Sequence, residues 1–163
     1  MTVLPDGRLL ITEKTGTMRI ITTAGKVSEP ITGLPEVNSG GQGGLLGLTI
    51  DPAFAKNRIV YWTFSEKTST GNLTAVAKGT LSSDEKKIEN VNVIYRADPA
   101  HPSMGHYGGR ILVDKSGNLL VTTGERSSLE TRPQAQFLTS ANGKVLRITK
   151  EGKPAPEIGR AHV

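Results

Sequence analysis

One β-hairpin signature occurs three times along the chain. A repeat of that kind restricts the fold to stacked or radially arranged copies of one unit. The first copy is Thr2-Val3-Leu4-Pro5-Asp6-Gly7-Arg8-Leu9-Leu10-Ile11-Thr12. The second is Leu48-Thr49-Ile50-Asp51-Pro52, a short loop, then Asn57-Arg58-Ile59-Val60-Tyr61-Trp62. The third covers residues 111–122, with Asp114 and Gly117 in its turn. Each copy has an apolar strand, an Asp-bearing turn and a second apolar strand. Gly7, Asn57 and Gly117 close the turns, 50 and 60 residues apart. A positive φ there costs Gly nothing and Asn little.

A second pattern follows the first and third hairpins. Residues 16–22 (GTMRIIT) return as residues 143–149 (GKVLRIT), each leading into a Gly turn at Gly25 or Gly152. Apolar and polar positions partly alternate, as in half-buried strands. In the middle copy, residues 73–81 and 91–95 supply the outer strands. The predicted unit is a four-stranded antiparallel sheet with near-continuous apolar inner strands. That describes a β-propeller blade, and the fold class expected is all-β. A β-sandwich is the alternative. With 19 Gly and 9 Pro in 163 residues, about one residue in six breaks a helix, which also favours short strands and turns. Residues 129–140 are expected to hold a short helix or an ordered loop.

Three blades do not close a ring, since propellers have roughly four to eight. An open arc leaves blade faces and an inner edge uncovered, so the chain is read as a fragment. Residues 1–157 are assigned to a partial propeller domain. The last six residues, Ile158-Gly159-Arg160-Ala161-His162-Val163, break the pattern and match a translated short-read sequencing adapter. They are read as an artefact, which removes His162 from consideration. The chain begins in a strand without a signal-peptide pattern, which is read either as a cytoplasmic protein or as a start lost by truncation.

Several function classes are excluded. Cysteine is absent, so there is no disulfide framework and no Cys-ligated metal. No apolar run reaches the ~18–20 residues of a membrane helix. The net charge of +5 is spread over scattered Lys and Arg, which does not make a nucleic-acid stripe. Asn72-Leu73-Thr74 matches a glycosylation sequon but falls near a strand start and is discounted.

His101 lies in a Pro-flanked loop and is expected at the surface. His106 stands in Met104-Gly105-His106-Tyr107-Gly108-Gly109, directly before the inner strand of the third unit. Gln42 has the same place in the second unit, within Ser39-Gly40-Gly41-Gln42-Gly43-Gly44. Gln42 precedes Asp51 by nine residues and His106 precedes Asp114 by eight. A propeller therefore sets both on one rim of its central channel, on glycine loops that let a ligand approach. A phosphate-cradling loop is disfavoured, because no Gly-Lys-Ser/Thr and no following helix appear. Glu125 follows the strand that returns beside His106. It either bonds the imidazole and fixes its tautomer or pairs with Arg126 at the surface.

The segments GGQGGLLGLTIDPAFAKNRIVYWTFSE and HYGGRILVDKSGNLLVTTGE, in that order, resemble the soluble glucose/sorbosone dehydrogenase family. LPDGRLLITEKTGTMRII and GKVLRITKEGKPAP resemble other blades of the same family. The resemblance implies a six-bladed propeller that oxidises aldoses to lactones with pyrroloquinoline quinone (PQQ) and calcium, in the periplasm or outside the cell. It implies His106 as catalytic base, Glu125 as its carboxylate partner, and Gln42 as a contact to substrate and cofactor. It implies no metal ligand in this chain, the calcium and most PQQ contacts belonging to later blades. A separate electron acceptor is implied too. Gly105 departs from the Asp or Asn often found there, which leaves the sugar undefined. Two other readings stay open: a non-catalytic propeller that binds partners, and a metal-dependent lactonase, for which Gln42, His106 and Glu125 are a thin ligand set.

Overall fold

The structure is a computed structural model and describes residues 1–155. The proposed adapter segment lies outside the described residues. Ten strands form three antiparallel sheets in chain order. The first holds β1 (Thr2–Val3), β2 (Leu9–Glu13) and β3 (Thr17–Ile21). The middle sheet holds β4 (Leu45–Ile50), β5 (Ile59–Thr68), β6 (Gly71–Leu81) and β7 (Ile88–Arg96). The third holds β8 (Gly108–Val113), β9 (Leu119–Thr123) and β10 (Val145–Ile148). A four-residue helix, α1 (Phe54–Asn57), sits in the β4–β5 turn, and a 3₁₀ turn spans Arg132–Gln136.

All three hairpins form where the repeat places them. Gly7 and Gly117 take φ of 86° and 83°, and the Asp114 carboxylate accepts the N–H groups of Ser116 and Asn118. The middle turn differs. The left-handed residue is Arg58, φ 53°, because α1 uses up Asn57. The Asn57 side chain bonds Asp51 and the Ile59 N–H instead.

Four strands were expected in every unit, and among the described residues only the middle sheet has them. In the first, the fourth position is reduced to single bridges, Met18 to Ile31 and Ile21 to Val27. Pro30 and Pro35 in that stretch have no N–H for a ladder. In the third, one bridge joins Ile148 to Pro154.

Continuous burial falls on β5 and β6, the central pair of the middle sheet: the inner strand β5 is buried as expected, the inner strand β4 only in part, and β6, expected as an outer strand, is buried with β5. Successive strand residues point to opposite faces, and here both faces are covered. Val60, Trp62 and Phe64 join Leu10, Met18, Ile20 and Ile31 in the core on the first-sheet side. Tyr61 and Val76 join Ile111, Leu119, Val121 and Ile148 on the other. The inner strand β8 alternates buried and exposed, since the outer face of the third sheet has no neighbour among the described residues.

The contact between the middle and third sheets changes character along its length. Its lower part is the apolar cluster around Tyr61 and Ile111. Its upper part is polar. The Thr63 hydroxyl donates to the Gly109 carbonyl (2.5 Å) and the Thr74 hydroxyl to the Tyr107 carbonyl (2.7 Å). Ser65 Oγ donates to the Asn38 carbonyl (2.5 Å) and accepts the Gly44 N–H (2.7 Å). These hydroxyls anchor both glycine-rich loops on one side of the arc.

Candidate active site

The two loops meet. The side-chain oxygen of Gln42 accepts the His106 backbone N–H at 2.8 Å, and the Gln42 N–H donates to the Met104 carbonyl at 2.8 Å. Such proximity needs glycine. Gly41 has φ 54°, and a Cβ there would lie 2.5 Å from the Met104 carbonyl oxygen. At the end of β9, a Cβ on Gly124 would lie 1.9 Å from the His106 carbonyl oxygen.

His106 holds a left-handed backbone, φ 46°. A non-Gly residue keeps that conformation only where its surroundings over-determine it. Here its N–H is taken by Gln42 and its carbonyl by the Arg126 N–H at 3.3 Å. The imidazole stays about half exposed, 52% by side chain. Its Nδ1 lies 2.5 Å from Glu125 Oε1, and Glu125 Oε2 accepts the Ser127 N–H at 2.8 Å. The bond from His106 holds the Glu125 carboxyl below its ordinary range, helped by the Ser127 N–H. An ionised carboxylate accepts, so Nδ1 carries the proton, and Nε2 meets no partner among the described residues.

Beside this pair lies an open hollow of about 530 Å³, lined by His106, Gly124, Glu125, Ala135, Gly143 and Lys144 among others. Lys144 Nζ donates to the carbonyls of Gln134, Ala135 and Asn142 at 2.8–2.9 Å, so its ammonium is spent on holding the loop. Gln42 does not line the hollow; it meets the His106 backbone instead.

The three residues expected at the site converge, with Gln42 meeting the backbone of His106 and Glu125 its ring. Arg126 is not the surface partner of Glu125. It is 1% exposed and reaches under the loop, where burial pulls its guanidinium below its ordinary value. The sequence reading missed it, together with its partners Asn72 and Tyr107. Asn72 is 3% exposed, so the sequon residue is an interior side chain. His101 is also more covered than expected, at 18%. Its backbone pairs with Asn72, and its Nδ1 accepts the Ser103 N–H.

The family model for glucose/sorbosone dehydrogenases matches residues 1–161. This chain belongs to the glucose/sorbosone dehydrogenase family. It is 36% identical over 152 residues to the aldose sugar dehydrogenase YliI of Escherichia coli K12, covering 92% of this chain and 40% of that protein. A solved glucose dehydrogenase superposes with a TM-score of 0.89 at 39% identity, over 98% of this chain and 50% of that one. The PQQ-bound aldose sugar dehydrogenase of Streptomyces coelicolor gives 0.80 at 27% identity, over 94% of this chain and 44% of that one. This glucose/sorbosone dehydrogenase chain thus spans about half the length of the relatives it matches. Its three sheets are consecutive blades of a β-propeller, a partial arc of the ring. No helix among the described residues is long and apolar enough to cross a membrane.

Proposed function

We propose that this chain is part of a PQQ-dependent sugar dehydrogenase that oxidises aldoses to lactones, with His106 as its general base. The observation that carries the reading is the His106–Glu125 pair, held on the glycine-rich rim loops with Nε2 meeting no partner among the described residues. Nε2 takes the proton of the sugar's anomeric hydroxyl as the C1–H leaves with its bonding pair, and the C1–O bond becomes the lactone carbonyl. When bound, PQQ supplies the two-electron acceptor for that hydride. Glu125 acts through His106 as a positioning residue. It fixes the tautomer and offsets the positive charge that grows on the ring. Gln42 Oε1 is engaged by the His106 N–H, so its amide N–H₂ is the group it would offer to a sugar hydroxyl or a cofactor carbonyl.

The fit to the cofactors is partial. His106 and Gln42 suit the polar edge of a quinone and sugar. Among the described residues no three carboxylate or imidazole side chains group as a metal site. A calcium ion that polarises the quinone would take its ligands from later blades, and no step on these residues runs through it. The reading carries with it a separate electron acceptor and a periplasmic or secreted location. Its test uses the full-length protein loaded with PQQ and Ca²⁺. Aldose-dependent dye reduction with lactone as product is expected; dye reduction that no aldose supports would overturn it.

A further inference from the structure

Arg126 is a buried charged group that the chemistry above leaves unused. Nε donates to the Gly105 carbonyl at 3.0 Å, Nη1 to the Asn72 carbonyl at 2.9 Å, and Nη2 to Asn72 Oδ1 at 2.5 Å. Nη2 also donates to the Ser103 carbonyl. The guanidinium stacks on the Tyr107 ring, 3.9 Å from its centroid, and the Tyr107 hydroxyl donates to the same Asn72 Oδ1 at 2.6 Å. Among the described residues Arg126 meets carbonyls, an amide and a ring, and no carboxylate.

A buried cation without a counter-ion is an expensive way to hold a loop. Its placement explains why it is there. One guanidinium grips both chain neighbours of His106, Gly105 by its carbonyl and Tyr107 by its ring, and the Arg126 N–H meets the His106 carbonyl. Asn72, at the start of β6, fixes the other end to the middle sheet. Arg126 itself has φ 71°, so the residue after Glu125 turns sharply inward while Glu125 faces the ring. Only a planar fork with several donors serves these acceptors together; a lysine ammonium on a flexible stem does not.

We infer that Arg126 is a positioning residue that clamps the loop beneath His106 and so sets the His106–Glu125 geometry. The inference rests on the function proposed above only for its kinetic readout. In Arg126→Lys in the full-length protein, the deshielded Nδ1 proton of His106 is followed by NMR, assigned by its loss in Glu125→Ala. The same variant, loaded with PQQ and Ca²⁺, is followed by sugar kinetics. We expect the resonance to be lost, with kcat down about 10²-fold, the scale of a 1 Å misplacement, and KM for the sugar within about threefold, as binding contacts are untouched. Retention of either the resonance or the wild-type kcat overturns the clamp. If the wild-type protein oxidises no sugar, the functional reading falls and the clamp is judged on the resonance alone. If Arg126→Lys does not fold, Asn72→Ala, which leaves the cation and removes one acceptor, carries the same test with a kcat loss of about tenfold, the scale of one hydrogen bond to a charged group.

Discussion

Asp51 offers a stability prediction whose size follows from its surroundings. It sits in the β4–β5 turn, 3% exposed. It accepts bonds from the Ala53 N–H, the Asn57 amide, the Tyr61 hydroxyl and Lys150 Nζ, the last at 2.6 Å. Lys150 lies just past β10, so the pair ties the middle sheet to the third. Burial alone raises the Asp51 pKa, and the Lys150, Ala53 and Asn57 bonds outweigh it, bringing the carboxyl from 3.8 down to about 2. At about 1.4 kcal/mol per tenfold, ionised Asp51 contributes roughly 2 kcal/mol. A folded-state pKa below the unfolded one means that this stability is present above about pH 4–5 and is lost as pH falls towards 2. Urea unfolding of wild type and Asp51→Asn at pH 7, 5, 4 and 3 reads the difference directly. The wild-type lead is expected to shrink by about 1 kcal/mol between pH 7 and pH 3 and to go on shrinking below. A lead that stays constant over that range refutes the linkage.

Three further substitutions probe the site. Gly124→Ala drives a Cβ against the His106 carbonyl; chemical denaturation should show a loss of about 1–3 kcal/mol, and a wild-type midpoint would contradict the packing. At position 105 an added Cβ meets nothing nearer than 3.6 Å and the backbone is unstrained. Gly105→Asn should therefore keep stability within about 0.5 kcal/mol, and a large drop in Tm would show the space is not open. Glu125→Gln removes the charge that opposes a protonated ring. In the loaded full-length protein kcat should fall by about 10²–10⁴, with the circular dichroism spectrum unchanged; a kcat within a few-fold of wild type would make Glu125 dispensable.

The sequence revealed most where a single period or spacing dictates position. Apolar strand pairs around Asp-bearing turns placed the three hairpins, and nearly matching offsets from Asp51 and Asp114, nine and eight residues, brought Gln42 and His106 to one rim. The offsets could not show that Gln42 spends its oxygen on the His106 backbone, because that depends on how two loops lean together. Arg126 was misread for a related reason. A charged residue in a turn is ordinarily solvated, and its burial comes from Asn72, 54 residues earlier. A faint signal was present: Thr63, Ser65 and Thr74 interrupt the apolar run of two central strands, and interior hydroxyls there imply a polar structure to be held. The first unit lacks its fourth strand, since prolines in residues 30–35 remove donors that a strand count ignores.

The central claim is that His106 takes the sugar's proton, and His106→Gln in the full-length protein loaded with PQQ and Ca²⁺ tests it most directly. The amide is similar in size and cannot act as a base near neutral pH. The account predicts that aldose-dependent dye reduction falls at least 10²–10⁴-fold while the variant still binds PQQ, read by its absorbance in the protein. A His106→Gln enzyme that binds PQQ and turns over aldose at the wild-type rate would contradict it.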